Sequence, residues 1–372
     1  MIKLLFIMTD LLGGGAERVL LNLVRYLDST KYDSTLLLIK KQGMYWDEVP
    51  KQVRIISLLD KDERLRFSWL SLLIKGFYEA RTQDIIIGGM ELLPTYLAYI
   101  WGSALRKPII GWIHTPLTSY LGTVPKWNKR IAKFIYRRIA HLVFVSNGAR
   151  LDMAGWLPNA NHKKWRTIYN IFDPNVFNSI DFRSDVPKET NMPLIISVGR
   201  LDKQKNFDLL IKAHAMVLNK GYRHRLIILG EGPERKNLES MVYSLGIQES
   251  VMMPGFVSDV LKYMKKASVF VLPSQFEGFG MVLLEAMSAG TPVISTDSVA
   301  DPREILGDNE FGLLVPVGNA DLLADAIIKM LCNKEIREYY RKKGFERCKD
   351  FSYQNIVPYW EQLFHSLVDT TK

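Results

Sequence analysis

Residues 194–206 read LIISVGRLDKQKN, and this stretch decides the fold class. Its first five residues form a short apolar, β-branched run, typical of a strand in a parallel sheet that is covered on both faces. A glycine and a basic loop follow, and residues 208–220 have the amphipathic spacing of a helix. Residues 3–27 repeat this order of strand, glycine loop and helix. The sequence therefore predicts two α/β domains.

The alternation of strands and helices continues through both halves of the chain. Residues 173–193 are polar and contain three prolines, which predicts a linker. We expect doubly wound, Rossmann-like domains at residues 1–180 and 181–352, facing each other across a cleft. Residues 353–372 predict a final helix, and the sequence leaves open whether it packs on the first domain. The predicted strands are residues 3–8, 34–39, 54–57, 85–87, 109–113, 142–145 and 166–169, followed by 194–198, 226–229, 251–253, 269–272, 293–295 and 313–315.

Composition excludes several classes of protein. The chain has 372 residues, of which 48% are hydrophobic and 24% charged, as in ordinary globular proteins. Its two cysteines, Cys332 and Cys348, lack metal-ligand spacing and cannot make a disulfide framework, so we expect reduced thiols in a cytoplasmic protein. Residues 1–8 fit a buried strand better than a signal peptide. The weakly charged stretch 92–105 is shorter than the roughly 20 residues of a membrane span.

Positive charge is concentrated in the first half of the chain. Residues 1–180 hold 25 Lys/Arg and 14 Asp/Glu, whereas residues 181–372 hold 24 and 25. Residues 92–151 contain nine basic residues and no acidic one. This asymmetry predicts an anionic partner for the first domain. We exclude nucleic acid, since the basic region has no recognition module or stacking platform.

Residues 126–140 form a basic amphipathic pattern at helical spacing. Such a helix can lie on an anionic membrane surface. An ordinary surface helix with its apolar side in the core gives the same pattern, and the acid-free surroundings favour the membrane. The apolar side has Trp127, Ile131, Phe134, Ile135 and Ile139, and the basic side has Lys126, Lys129, Arg130, Lys133 and Arg137.

Three loops that follow predicted strands have residues suited to a phosphorylated ligand. The loop GGGAER at 13–18 offers glycine amides at a helix start, although Arg18 stands where a dinucleotide fingerprint needs its third glycine. A plain tight turn explains this loop equally well. In the second loop, Arg200 and Lys205 can both reach one diphosphate, and a solvated basic loop is the alternative.

The third loop, residues 277–285, combines glycines with two acids. Gly278 and Gly280 allow unusual backbone angles where the chain enters a helix, whose free amides favour a negative oxygen. Glu285 lies one turn into the helix and can accept hydrogen bonds from two ribose hydroxyls. A helix cap for Glu277 and a surface position for Glu285 are the alternatives. We favour a functional role because an unpaired acid among apolar residues is costly to bury.

Together these residues resemble the retaining glycosyltransferases of family 4, which have the two-domain GT-B fold. The resemblance covers nearly the whole chain. It rests on the ordered set of the GGGAER loop, residues 198–206, Gly230-Glu231-Gly232-Pro233, Pro254-Gly255-Phe256, and Glu277 and Glu285 with seven residues between them.

The resemblance implies a role for each matching position. Arg200 and Lys205 would hold the diphosphate of a nucleotide sugar, and Glu285 would bind its ribose. Phe256 marks the segment that would receive the base. The remaining donor-site residues that it implies are Gly14, Gly15, Gly199, Glu231, Glu277, Gly278, Phe279 and Gly280.

His114, at the end of a predicted strand, matches the active-site histidine of many family members. With Glu277, Arg200 and Lys205 it completes the predicted catalytic set. A lone histidine is more often structural, but its place at a strand end favours function. The basic pair would stabilise the leaving diphosphate without a metal ion, and no other cofactor is expected. Front-face attack would then retain the sugar configuration.

The predicted function is transfer from a nucleotide sugar, with UDP assumed, to a hydroxyl of a lipid-linked or glycan acceptor. We expect a bacterial enzyme of surface-polysaccharide assembly, peripheral on the inner face of the cell membrane. A soluble acceptor and a sugar-nucleotide epimerase remain alternatives. An additional apolar membrane contact is predicted at Phe67, Trp69, Leu70, Leu72 and Leu73.

Overall fold

The structure, a computed structural model, describes residues 1–60, 63, 68–121, 124–173, 192–298 and 302–369, the side chain of Tyr120 excepted. It divides into two compact units: unit 1 comprises Met1–Ile171 with Phe351–Lys372, and unit 2 comprises Phe172–Asp350. Residues 174–191 of the predicted linker, the predicted boundary between residues 180 and 181, and Phe67 lie outside the described residues.

Unit 1 is built on a seven-stranded sheet in the order β3-β2-β1-β4-β5-β6-β7. Every neighbouring pair is parallel. The central strand β1 is an apolar run, and its residues from Leu4 to Met8 are fully buried. The strands are β1 (Ile2–Met8), β2 (Tyr32–Lys40), β3 (Arg54–Leu59), β4 (Ile85–Gly88), β5 (Ile109–Ile113), β6 (His141–Phe144) and β7 (Arg166–Thr167).

Helices connect these strands and cover the sheet. The apolar side chains of α2 and α3, such as Leu72 and Trp101, pack on the sheet in one core cluster. Ser146 begins α6 as its N-cap, because its hydroxyl accepts the Ala149 N–H at 3.1 Å. The helices are α1 (Gly15–Tyr26), α2 (Trp69–Arg81), α3 (Leu93–Leu105), α4 (Leu117–Leu121), α5 (Lys126–Tyr136) and α6 (Asn147–Trp156).

Unit 2 has a six-stranded parallel sheet in the order β10-β9-β8-β11-β12-β13. The interiors of β9 and β11 are fully apolar and buried, as continuous runs in a doubly covered sheet should be. The strands are β8 (Leu194–Val198), β9 (Arg225–Leu229), β10 (Val251–Gly255), β11 (Val269–Leu272), β12 (Val293–Thr296) and β13 (Leu313–Val315).

The helices of unit 2 alternate with its strands. Asn319 is the N-cap of helix α12, and its side chain accepts the Leu322 N–H. The apolar face of α12 packs beside α7 in the main core cluster. The helices are α7 (Phe207–Asn219), α8 (Arg235–Ser244), α9 (Val260–Lys266), α10 (Met281–Ser288), α11 (Pro302–Leu306), α12 (Ala320–Cys332) and α13 (Lys334–Asp350).

The last helix, α14 (Tyr353–Asp369), belongs to unit 1. Tyr353 stacks on Tyr26 of α1 with ring centroids 4.1 Å apart, and the fully buried Trp360 meets Trp112 of β5 edge-on at 4.6 Å. Two large aromatic contacts of this kind make α14 part of the core of unit 1. The chain thus returns to the unit in which it began.

Candidate functional site

The strand order places the functional loops of unit 2 at one point. Strand β8 pairs with β9 on one side and with β11 on the other, so the connections after β8 and β11 leave in opposite directions. Ligands of open α/β sheets bind at such switch points, outside the carboxyl ends of the strands. The loop with Arg200 and Lys205 follows β8, and the loop with Glu277 follows β11.

Lys205 and Glu277 meet across this switch point. Lys205 Nζ lies 2.6 Å from Glu277 Oε1, and both side chains are largely buried, with exposed fractions of 18% and 7%. The Ser274 hydroxyl donates to the same carboxylate oxygen. A buried pair with a further hydrogen bond holds both side chains in fixed positions. The structure therefore brings together two residues of the predicted catalytic set.

Backbone contacts fix the two loops to each other. The Gln204 side chain donates to the Phe276 carbonyl at 3.0 Å, and the Gln275 N–H donates to the Gln204 carbonyl at 2.8 Å. These bonds flank the Lys205–Glu277 pair and join the two loops on either side of it. Gln204 and Ser274 were not among the predicted site residues, although Gln204 lies within the stretch 198–206 that supports the family resemblance.

Glycines let a third loop approach closely. Gly230 has φ +140°, and a Cβ there would lie 1.9 Å from the Gly199 carbonyl oxygen. A Cβ on Gly232 would lie 2.3 Å from the Leu201 carbonyl oxygen. Only glycine fits where backbone meets backbone at this distance. The loop after β9 therefore supports the loop that contains Arg200 and Lys205.

Helix α10 presents its amino end at the same edge of the sheet. Its N-cap, Gly280, has φ +76° and provides no side chain to satisfy the first amides. Those amides and the helix dipole favour an anion. Gly278, by contrast, does not use the left-handed region that the sequence analysis allowed it. Phe279, which lies between these two glycines, is buried.

The other predicted donor-site residues of unit 2 occupy separate positions. Arg200 is exposed, and Glu285 is half-buried on α10. Phe256 follows the left-handed Gly255 and leaves 67% of its surface exposed. Glu231 binds Arg235 through both carboxylate oxygens at 2.8 and 2.9 Å, and these hydrogen bonds lower the pKa of its carboxyl.

In unit 1 the switch point lies between β1 and β4. Gly14 and Gly15 follow β1, at the start of α1, and both are exposed. The buried Glu17 lies in the first turn of α1, where its carboxylate is close to Gly14, and burial raises the pKa of this carboxyl against the opposing effect of backbone N–H groups. This acid beside the two glycines was not among the predicted site residues.

His114 lies at the end of β5 and is almost fully buried. Its Nε2 lies 2.9 Å from the Gly89 carbonyl oxygen, which can only accept, so Nε2 carries the hydrogen and Nδ1 keeps its lone pair. Burial lowers the pKa of the imidazole, against the opposing effects of Glu91 and of this hydrogen bond. Burial therefore favours the neutral form of the His114 imidazole.

Helix α5 divides into three faces rather than the predicted two. Its buried face includes Ile135, and Ile139 lies buried just beyond the helix, so these two residues follow the ordinary-helix alternative. An outward stripe has Trp127, Ile131 and Phe134, with 63%, 40% and 51% of their surfaces exposed. The predicted basic residues Lys126, Arg130, Lys133 and Arg137 are exposed, and Lys129 is half-buried.

Helix α2 also exposes apolar side chains. Leu70, Ile74 and Tyr78 follow one another at intervals of four residues and expose 71%, 49% and 62% of their surfaces. Of the predicted contact residues, Trp69 and Leu70 are exposed, whereas Leu72 is fully buried in the core of unit 1 and Leu73 packs against it. The prediction for Leu72 was wrong because its position in α2 faces the sheet.

Two features are absent from the part of the chain that the structure describes. No described helix is long and apolar enough to cross a bilayer. Within the same part of the chain, no group of three or more His, Cys, Asp or Glu side chains is arranged to hold a metal ion.

The folds of solved structures identify the class of protein. Sucrose-phosphate synthase from Thermosynechococcus elongatus matches with a TM-score of 0.83 at 20% identity, over 100% of both chains. Anabaena HepE in complex with UDP and glucose matches with a TM-score of 0.81 at 20% identity, over 99% of this chain and 100% of that one. The chain has the two-domain GT-B fold of glycosyltransferases, as predicted.

Sequence comparison then gives the family. Family models described as Glycosyltransferase Family 4 and Glycosyl transferases group 1 match residues 13–176 and 178–347. A Campylobacter jejuni protein, N-acetylgalactosamine-N,N'-diacetylbacillosaminyl-diphospho-undecaprenol 4-alpha-N-acetylgalactosaminyltransferase, is 30% identical over 93% of this chain and 94% of its own. The lipopolysaccharide core biosynthesis glycosyltransferase LpsE of Rhizobium meliloti is 27% identical over 95% and 96%. The chain belongs to glycosyltransferase family 4, and the predicted resemblance is confirmed.

Proposed function

We propose that this glycosyltransferase moves a hexosyl or N-acetylhexosaminyl group from a UDP-sugar to a hydroxyl of a lipid-linked or glycan acceptor, with retention of configuration. The observation that supports this proposal best is the buried pair of Lys205 and Glu277 in the two loops at the switch point of unit 2. It places a fixed cation where open α/β sheets bind phosphorylated ligands.

The chemistry needs positive charge at the leaving group. The diphosphate gains negative charge as the bond to the sugar breaks, and fixed donors lower the energy of that state. Lys205 Nζ has two N–H groups left after its bond to Glu277, Arg200 offers a planar fork, and α10 offers its first amides. We propose that these groups act in place of a divalent ion and that no metal cofactor is needed.

Two kinds of observation support a UDP-sugar as the donor: the residues of the candidate site, and the nucleotide bound in similar structures. Glu285, half-buried on α10, would accept hydrogen bonds from the ribose hydroxyls, and the exposed ring of Phe256 would contact the base. Gly199 and Glu231 complete the proposed donor site, with Gly278, Phe279 and Gly280 facing sugar and phosphate. UDP is the nucleotide named with the HepE structures.

Retention is assigned to front-face attack through an oxocarbenium-like state. Glu277 Oε1 already accepts from Lys205 and Ser274, and a carboxylate held in this way is a weak nucleophile. We propose that His114, through the free lone pair of Nδ1, and the Gly14–Gly15 loop are the contributions of unit 1 to the reaction.

The proposed acceptor is lipid-linked, and the enzyme would act at the inner face of a bacterial cell membrane. The Campylobacter relative is named for a diphospho-undecaprenol substrate, and LpsE for lipopolysaccharide core biosynthesis. The exposed basic residues of α5 and its outward stripe of Trp127, Ile131 and Phe134 have the composition of a helix that lies on anionic lipid.

The reaction is tested by incubating the purified protein with UDP-hexoses or UDP-N-acetylhexosamines and a short polyprenyl-diphosphate glycan. We expect an α-linked product by NMR and less than a twofold change in rate with EDTA. Preference for GDP-sugars, a β-linked product or loss of activity in EDTA would each contradict the corresponding part of the proposal. Nucleotide release only when an acceptor is present would exclude the epimerase alternative, whereas conversion of the UDP-sugar into its epimer without an acceptor would favour it. Transfer to soluble sugars alone would favour the soluble-acceptor alternative.

Membrane binding gives a separate prediction. With anionic vesicles at low salt, we expect the double variant Trp127→Ser/Phe134→Ser to bind at least about tenfold more weakly than the unmodified protein, because each aromatic ring contributes about 1.5–3 kcal/mol when buried. Vesicle sedimentation measures the partition coefficient. Tyr243→Ser/Leu245→Ser, which removes exposed apolar side chains at the end of α8, is the control. If the unmodified protein stays in the supernatant, the membrane proposal is wrong.

A further inference from the structure

Glu91 holds the backbone that carries His114. Its Oε1 accepts the N–H groups of His114 and Thr115 at 2.5 and 2.7 Å and the Thr115 hydroxyl at 3.2 Å. A carboxylate oxygen that accepts three donors from two successive residues fixes their position closely. Glu91 follows β4 and His114 ends β5, so the contact joins two neighbouring strand ends.

The histidine ring is held by the same segment. His114 Nε2 donates to the carbonyl of Gly89, two residues before Glu91. One short turn therefore determines both where the His114 backbone lies and which ring nitrogen keeps its lone pair. A displacement of this turn would therefore move the His114 backbone and the His114 ring together.

The turn from Gly89 to Leu92 has a strained backbone, which hydrogen bonds hold in place. Leu92 has φ 59° and ψ −112°, a conformation that a side chain with a Cβ rarely adopts. Its N–H donates to the hydroxyl of the fully buried Tyr136 at 2.9 Å, and the Thr95 hydroxyl donates to the Met90 carbonyl at 2.6 Å. These bonds hold a conformation that the chain would otherwise leave. Backbone strain is most often retained at functional sites.

We propose that Glu91 is the positioning residue for His114 and that the Tyr136 hydroxyl holds Glu91 in place by fixing the Leu92 backbone. The proposal rests on the role assigned to His114 in the proposed function. Glu91 acts through His114 and does not itself touch the substrate. Loss of the carboxylate oxygen therefore affects turnover only as long as His114 is present.

The kinetic test compares Glu91→Ala with Glu91→Gln, whose amide oxygen can still accept the same three bonds. We expect Glu91→Ala to lower kcat about 10- to 100-fold with less than a threefold change in the donor KM, and Glu91→Gln to keep at least about a third of the activity. Tyr136→Phe should lower kcat in the same direction by a smaller factor. Asp28→Ala is the matched control, because Asp28 likewise accepts an N–H and a hydroxyl from one threonine, Thr30.

A double-mutant cycle shows whether Glu91 acts through His114. In the His114→Ala background, Glu91→Ala should cause less than a twofold further loss. Independent, multiplying effects would overturn the proposal, as would a Glu91→Ala variant that is as active as Asp28→Ala.

A third readout does not depend on activity. Nitrogen NMR of labelled histidine should show His114 in the Nε2–H form in the unmodified protein and in Asp28→Ala, and a mixture of forms in Glu91→Ala. An unchanged His114 signal in Glu91→Ala overturns the positioning role even if no transfer is detected. Absence of all transfer by the unmodified protein, with the NMR result as expected, instead contradicts the proposed function alone.

Discussion

Replacement of Lys205 by alanine is expected to lower kcat/KM by about 100- to 1000-fold, the largest effect of any single side chain in the proposed donor site. Lys205 offers a charge-assisted hydrogen bond at the oxygens that become more negative as the diphosphate departs. Removal of one such donor typically costs about 2.7–4 kcal/mol of transition-state stabilisation. Steady-state kinetics with the preferred donor measure this ratio.

The same substitution is also expected to destabilise unit 2. The sequence alone suggests that the fold would be unaffected, but Lys205 is the cation of a largely buried pair. Its loss leaves Glu277 with the Ser274 hydroxyl and no matching charge, which costs about 3–5 kcal/mol for a buried pair. Urea denaturation of Lys205→Ala should therefore show a lower free energy of unfolding.

A second substitution separates these two effects. Lys205→Met/Glu277→Gln removes both charges, so we expect most of the lost stability to return while turnover stays low. Lys220→Ala breaks an exposed pair with Asp325 at 2.7 Å and serves as the control, with stability and turnover nearly unchanged. Recovery of turnover in the double variant would show that the fold, rather than the cation, was needed.

Gly230→Ala is expected to have the second-largest effect. A Cβ at this position would lie 1.9 Å from the Gly199 carbonyl oxygen, and the backbone has φ +140°. The loop after β9 must then separate from the loop that carries Arg200 and Lys205. Backbone strain of about 1–3 kcal/mol and overpacking of about 1–3 kcal/mol together predict a loss of about 2–6 kcal/mol in stability. Because the loop that carries Arg200 and Lys205 would shift, turnover should also fall more than tenfold.

Gly221→Ala is the matched comparison for Gly230→Ala. Gly221 also has a positive φ, +89°, but a Cβ there would meet nothing within 4 Å. It should cost only the strain, about 1–2 kcal/mol, and leave turnover unchanged. Equal losses of stability in the two variants would contradict the close approach of the two loops.

The sequence predicted the strands well because their apolar runs are unmixed. The predicted limits of β5, β8, β11 and β13 agree with the structure residue for residue. Errors occur where polar residues extend a strand, as at Tyr32 and Asp33, which begin β2 two residues before its predicted start. Hydrogen bonding in the ladder, which depends on the partner strand, decides such ends.

The positions of the candidate residues in strand-end loops could also be predicted, but the contacts between them could not. Lys205 and Glu277 are 72 residues apart, and only the order of β8 and β11 in the sheet brings them together. Glu91 stood in no recognisable pattern, although it lies in the turn after β4 and directly precedes the acid-free stretch. The strained backbone of Leu92 depends on Tyr136, far along the chain, and leaves no local trace in the sequence.

The burial of individual apolar residues in helix α5 could not be predicted from the sequence. A helical wheel distinguishes apolar from basic positions, but it cannot tell which apolar positions face the core. Ile135 is buried, whereas Phe134 and Ile131 are exposed, because only one edge of the apolar side reaches the sheet. The exposed remainder is the feature that supports membrane binding.

A crystal structure of the protein bound to UDP would test the central claim most directly. We predict that the diphosphate oxygens lie within hydrogen-bond distance of Lys205 Nζ and the Arg200 guanidinium, at the amino end of α10. A diphosphate bound elsewhere, or bound at α10 with both side chains turned away from it, would contradict the account.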